Sequence, residues 1–224
     1  MNSIFVLGAD TSVGKTLVSS GLLKAAHGYG PVAYWKPLQT GTIVGDDIEE
    51  VRSLTGISAP DAVLESVYRF TDPMAAVLAA EKWGKNLEVE AILEKYREYS
   101  KNNRALIVEG TGGILAPLNQ KNFQADLIQA LGLPVLIIGE DRTGMVNQIL
   151  MTLRCARDWK LKILGVVLMN SRGHLGNAPA IDQFGEGVKV LLEVPPMPDK
   201  RSLVAHLAGA SELRKLLGVS IIPT

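Results

Sequence analysis

The chain has 224 residues with 23 Lys+Arg against 23 Asp+Glu, so no excess charge points to nucleic acid or an anionic membrane surface as its partner. Hydrophobic residues make up 47% of it, enough at this length for one substantial core, and a single domain over 1–224 is expected. The one cysteine, Cys155, excludes a disulfide framework; no segment reaches bilayer length and no basic stretch leads into a long apolar one, so a cytoplasmic protein is expected.

The first element is a strand, Ile4–Leu7. Gly8-Ala9-Asp10-Thr11-Ser12-Val13-Gly14-Lys15-Thr16 follows it and opens helical periodicity over Thr16–Ala26. Strand, glycine-bounded loop and helix together make an anion site. Backbone N–H groups point inward, the helix N-terminus adds its positive dipole end, Lys15 can reach the outer phosphates of a nucleotide, and Thr16 offers a hydroxyl to Mg²⁺. Five residues separate Gly8 from Gly14 where the common phosphate loop has four, so this is a variant.

The second strand, Val32–Trp35, runs into Lys36-Pro37-Leu38-Gln39-Thr40-Gly41. Pro37 cannot extend a sheet and Gly41 permits a tight turn, which holds Lys36 at the carboxyl edge of the sheet. There it can neutralise charge on a transferred phosphoryl group; the alternative is a surface lysine at a strand end. Asp46-Asp47 precedes helix Ile48–Leu54: one aspartate can cap that helix while the other, Asp47, binds metal. Glu49-Glu50 fits a solvated helix face.

Helical periodicity continues over Ala75–Trp83 and Val89–Ser100, and a strand over Ala105–Val108 ends in Glu109 before Gly110-Thr111-Gly112-Gly113. An acid at the end of a buried strand, followed by glycines that admit a ligand to the backbone, is the other metal-ligand candidate. Next come helix Ala125–Leu131, strand Val135–Ile138, helix Met145–Asp158 and strand Ile163–Leu168. Ser171–Gly187 lacks strong periodicity and reads as a loop or a loosely packed insertion. Strand Val188–Leu192 and helix Ser211–Leu217 complete the pattern. Apolar strands alternating with helices imply an α/β fold, a P-loop NTPase-like three-layer architecture with a mainly parallel central sheet.

Three segments, Gly8–Thr16, Lys36–Gly41 and Val108–Gly113, together resemble dethiobiotin synthetase, the ATP-dependent ligase late in biotin synthesis. Shorter likenesses are Gly144-Met145-Val146-Asn147, Asn170 and Val194-Pro195-Pro196. The resemblance implies that CO₂ is captured on an amine of 7,8-diaminopelargonate as a carbamate, which ATP phosphorylates. The second amine then closes the ureido ring, giving dethiobiotin, ADP and phosphate.

The same resemblance implies catalytic roles for Lys36, Lys15 and Thr11. Mg²⁺ would be held by Thr16, Asp47 and Glu109. The nucleotide would be bound by Ser12, Val13, Gly14, Lys15, Thr16, Asp47, Glu109, Gly110, Thr111, Gly112, Asn170, Ser171, Val194, Pro195 and Pro196. Asn170 can equally satisfy a strand end, and the two prolines can simply terminate one. The diamine would be contacted by Thr40 and, across a homodimer, by Gly144, Met145 and Asn147 at the helix start of the partner subunit. The chain departs from the family pattern at Ala9, Ser12, Ala76, Val77 and Arg142.

Two other readings share the phosphate loop. A glutamine-dependent ligase related to cobyrinate diamide synthases needs a second domain with a nucleophilic cysteine, for which this chain has no room and Cys155 no setting. A partitioning or regulatory NTPase switch usually carries a second lysine near the start of the loop, whereas Lys15 is the only lysine in this one. A related ligase for a different acid substrate would look much the same.

Overall fold

Short runs rich in Val, Ile and Leu are buried on both faces only when helices cover both sides of a parallel sheet. The computed structural model, which describes residues 1–57 and 59–219, has this arrangement. In chain order its elements are β1 (Ile4–Gly8), α1 (Lys15–Ala26), β2 (Val32–Trp35), β3 (Leu38–Gln39), α2 (Asp47–Thr55), β4 (Val63–Leu64), β5 (Tyr68–Arg69), α3 (Ala76–Lys82) and α4 (Val89–Tyr99). Then follow β6 (Ala105–Glu109), α5 (Gln124–Leu131), β7 (Val135–Glu140), α6 (Met145–Asp158), β8 (Ile163–Met169), α7 (Asn177–Phe184), β9 (Val190–Glu193), α8 (Lys200–Gly209) and α9 (Ser211–Leu217).

Seven strands form one parallel sheet in the order β4-β2-β6-β1-β7-β8-β9, and β3 and β5 pair in a separate ribbon. Because β1 lies in the middle, the loop leaving its carboxyl end opens between the ends of β6 and β7. Ligands collect at such a point, where successive crossovers leave in opposite directions. The helix following that loop, α1, packs against the sheet and against α2, α8 and α9. On β2, Trp35 packs on Tyr96 and Tyr99 of α4, with ring centroids 6.3 and 5.6 Å apart, while its neighbour Tyr34 points toward Glu109. The alternation of a strand thus sends one aromatic to a helix and the other to the site.

Several expectations require correction. Ser171–Gly187 is not one irregular loop, because it contains α7, whose Asn177, Ala178 and Ile181 are buried. Two apolar anchors between flanking glycines are too few to register as periodicity. The last strand is shifted from Val188–Leu192 to Val190–Glu193 and is half-exposed, since it is an edge strand whose pairing begins with Val166 opposite Val190. Helix α8 was not expected. Its charged start, Asp199-Lys200-Arg201, follows a proline-rich run, yet Asp199 caps it by accepting from the Ser202 N–H at 2.8 Å.

Packing of α1 on α8 leaves no room for a side chain at Gly21, where a Cβ would collide with Leu207 Cβ. Alanine would raise helix propensity by about 1 kcal/mol, but overpacking costs about 1–3 kcal/mol. Gly21→Ala is therefore expected to lower unfolding stability by about 1 kcal/mol, measured by urea denaturation. An increase in stability would show that the two helices can separate at no cost.

Candidate active site

The loop after β1 is shaped by two left-handed residues, Ser12 (φ 57°) and Gly14 (φ 96°). Such a turn gathers successive N–H groups into a concave anion nest. No side chain caps α1, so its first-turn N–H groups remain available to a ligand. A Cβ on Gly8 would collide with the backbone carbonyl oxygen of Asp10 within the loop, which is why glycine stands there. Lys15 is 8% exposed and donates to the Asp10 carbonyl at 3.2 Å, folding its ammonium back over the loop.

Strand register brings the second cation in. Trp35 lies opposite Val108, so the next residue on each strand places Lys36 beside Glu109. Lys36 Nζ donates to Glu109 Oε1 at 2.9 Å and pairs with Asp47 Oδ2. Thr16 Oγ1 lies 3.0 Å from Glu109 Oε1 and 3.1 Å from Asp47 Oδ1, and Tyr34 donates its hydroxyl to Glu109 Oε2 at 3.1 Å. Glu109 is fully buried, and a polar group there needs this set of partners in place of water.

The environment shifts the neighbouring groups in opposite directions. Burial would lower Lys36, but the Glu109 and Asp47 carboxylates outweigh it and hold its ammonium above the ordinary lysine range. Lys15 is pulled below that range by burial, which the more distant carboxylates offset only in part. Burial, together with Glu109, raises the Tyr34 phenol well above its usual value, so it remains a donor.

The two adjacent aspartates divide their work. Asp46 caps α2, accepting from the Ile48 and Glu49 N–H groups at 3.0 and 3.4 Å, and pairs with Arg69. Asp47 turns into the site.

A cavity of about 920 Å³ joins these groups. Its walls include Thr11, Ser12, Gly14, Lys15 and Thr16 of the loop, Lys36 and Thr40 after β2, Asp47, Glu109, Thr111 and Gly112, with Pro73–Ala76 and Lys200 also lining it. No group of three His, Cys, Asp or Glu side chains suited to a metal occurs among the described residues. The oxygens of Thr16, Asp47 and Glu109 nevertheless fit Mg²⁺, which takes one or two carboxylates and completes its shell with phosphate and water.

Some residues singled out from sequence lie elsewhere. Gly110 does not line the cavity, because a Cβ there would strike Phe5 and Gln124; it is a packing glycine. Val13 is a core residue whose backbone alone belongs to the loop, and Met145 is fully buried beside Gly139. Gly144 and Asn147 are exposed at the start of α6, outside the cavity. Asn170, Ser171 and Val194 come together at the ends of β8 and β9, where the Ser171 N–H donates to the Val194 carbonyl at 2.8 Å, and Pro195 and Pro196 stand exposed beside them. This cluster also lies outside the cavity.

Two supporting residues escape a linear reading. Tyr34 shares a face of its strand with Lys36, and that i, i+2 spacing was the available signal. Gln124, 1% exposed, accepts from the Thr111 N–H at 2.7 Å and donates to the Gly113 carbonyl at 3.2 Å, bracing the glycine loop after β6. No spacing in the sequence indicates that contact.

The chain is similar to known proteins over most of its length. A family model described as an AAA domain matches residues 2–202. Proteins named ATP-dependent dethiobiotin synthetase are similar over most of the chain. The one from Paramagnetospirillum magneticum is 36% identical over 199 residues, covering 88% of this chain and 90% of the relative, and the one from Bacillus licheniformis is 31% identical over 216 residues, covering 92% and 91%. Among solved structures, a ParA family ATPase from Chlorobium tepidum aligns with TM-score 0.58 at 11% identity, covering 98% of this chain and 93% of that one. The cell division ATPase MinD from Pyrococcus furiosus aligns with TM-score 0.55 at 15% identity, covering 96% and 100%. The structures support a P-loop fold, and the sequence relatives go further: the chain belongs to the family of that AAA domain and to the dethiobiotin synthetases.

Proposed function

We propose that the chain converts 7,8-diaminopelargonate, CO₂ and ATP into dethiobiotin, ADP and phosphate by way of a phosphorylated carbamate. The observation that best supports this is the convergence of Lys15, Lys36, Thr16, Asp47 and Glu109 on one cavity. Two ammonium groups beside two carboxylates suit a reaction whose carbamate and acyl phosphate are both anionic. The relatives named above are similar across nearly their whole length, which favours this chemistry over that of a partitioning switch.

In this reading the loop N–H groups and Lys15 hold the triphosphate, and Thr11 and Ser12 contact its outer end. Lys36 neutralises the carbamate and the mixed anhydride, positioned by Glu109 and Asp47. Thr40, on the cavity wall, orients the diamine. Mg²⁺, held by Thr16, Asp47 and Glu109, would neutralise charge on the phosphate oxygens. No side-chain nucleophile is required, because the amines of the substrate attack; catalysis rests on positioning and charge.

Asn170, Ser171, Val194, Pro195 and Pro196 form the base-facing edge in this reading, and Gly144, Met145 and Asn147 act through a homodimer at the partner's site, with Met145 offering backbone only. The whole chain, 1–224, serves as one cytoplasmic ligase domain.

Incubation with ATP, Mg²⁺, bicarbonate and the diamine is expected to yield dethiobiotin and diamine-dependent ADP. ATP turnover indifferent to the diamine, or stimulated by DNA or a protein partner, would favour a switch. Lys36→Ala is expected to lower kcat by about 10²–10³-fold, the magnitude typical of losing one group that stabilises transition-state charge, with the circular-dichroism spectrum unchanged. Unaltered turnover would remove Lys36 from the chemistry.

The aspartates provide a paired test. Asp46→Ala is expected to cost about 1 kcal/mol of stability while leaving the Mg²⁺ dependence of activity in place. Asp47→Asn is expected to raise the Mg²⁺ concentration needed for half-maximal rate. The reverse pattern would exchange their roles.

A further inference from the structure

The phosphate loop contains one acid, Asp10, in a place built to attract a polyanion. A carboxylate free to turn into that nest would repel the triphosphate and could take the N–H groups meant for it. It is instead held by three groups. Asp10 Oδ1 accepts from the Thr11 N–H at 2.8 Å, and Oδ2 accepts from Arg142 Nη2 at 2.9 Å and from Gln148 Nε2 at 3.1 Å. Arg142 Nη2 also donates to Gln148 Oε1 at 2.9 Å, which closes a triangle. A further contact is on the backbone: the Asp10 carbonyl accepts from Lys15 Nζ.

Arg142 itself is anchored from two directions. Its N–H donates to the Glu140 carbonyl at 2.8 Å, and its carbonyl accepts from Asn177 Nδ2 at 3.1 Å and from the Met145 N–H at 3.1 Å. Asn177 Nδ2 in turn reaches Asp141 Oδ1 at 2.6 Å, and Ser171 Oγ donates to Asp141 Oδ2 at 2.7 Å. A continuous polar chain therefore runs from the phosphate loop, through the turn between β7 and α6, to the ends of β8 and β9. Neither Arg142 nor Gln148 lines the cavity.

We propose that Arg142, assisted by Gln148, is a positioning residue for the phosphate loop: it neutralises Asp10 and confines the carboxylate to the Thr11 N–H, leaving the later loop N–H groups and Lys15 for the triphosphate. The consequence is specific to binding. Losing Arg142 frees a negative charge next to the ligand, whereas the reacting groups Lys36, Asp47 and Glu109 lie on other strands and loops and stay in place. Among the described residues Asp10 is the only carboxylate that Arg142 pairs with, so removing the charge of Asp10 removes the need for Arg142.

This inference rests on the loop binding ATP, and the wild-type chain tests that separately by calorimetric titration with MgATP. If the wild type binds, Arg142→Leu and Arg142→Gln are each expected to raise Kd for MgATP about tenfold, the scale of one lost charge-assisted contact. Their kcat at saturating ATP should stay within about twofold of wild type on the same scale. Adding Asp10→Asn to either variant is expected to restore most of the affinity, because the amide still accepts from the Thr11 N–H but carries no charge. A role in stability alone would lower Tm without this rescue. Unchanged Kd in both arginine variants, or a loss that Asp10→Asn does not reverse, overturns the proposal; failure of the wild type to bind ATP overturns the reading of the loop instead.

Discussion

The site depends on one carboxylate finding all its partners inside the sheet. Glu109 ends the strand beside β1 with no exposure to solvent, and a polar group buried there needs cations and donors in place of the water it has lost. Lys36, Thr16 and Tyr34 supply these from two segments: Tyr34 within β2 and Lys36 just after it, and Thr16 in the first turn of α1. Each partner needs Glu109 in return. Lys36 is itself nearly buried, and the Glu109 and Asp47 carboxylates outweigh that burial to hold its ammonium above the ordinary lysine range, so the pairing keeps a cation on the cavity wall.

This mutual dependence explains why the parallel register matters so much. A slip of one residue between β2 and β6 would reverse which face each side chain meets and separate Lys36 from Glu109. The central position of β1 then fixes where the phosphate loop opens relative to that pair, and the packing of α1 on α8 through Gly21 fixes how the helix start is aimed. Architecture alone does not select the chemistry, since ParA and MinD ATPases share the fold at 11–15% identity. What separates this chain is the residues placed on that frame. Its loop begins Gly8-Ala9-Asp10, with an acid tied to Arg142 and no lysine before Lys15.

Much of the frame was legible before any coordinates. Six sheet strands and seven helices are readable from apolar periodicity, because burial on both faces writes an unbroken apolar run and burial on one face writes a stripe. The phosphate loop is readable because its function depends on local backbone geometry, which glycine spacing encodes. Asp47 and Glu109 stand out for a similar reason, as acids next to helix starts and glycine clusters. The two-residue strands β3, β4 and β5 were not readable, since a pairing that short leaves no pattern within its own sequence. Helix α7 was hidden by its flanking glycines, although Asn177 at its start is a buried link in the polar chain.

The class of fold, the anion-binding loop and the identities of the charged residues follow from local spacing and backbone preference along the chain. Only the tertiary structure decided which of those charges meet. Lys36 and Glu109 are 73 residues apart and Arg142 is 132 residues from Asp10, and neither pair has a signature in either segment alone. Charge pairing across the carboxyl ends of parallel strands is set by register and crossover geometry, which arise only when the whole sheet is assembled. The same assembly separated the roles of neighbours that look interchangeable in sequence: Asp46 became a helix cap and Asp47 a site residue, because only one of them faces the cavity once α2 is docked.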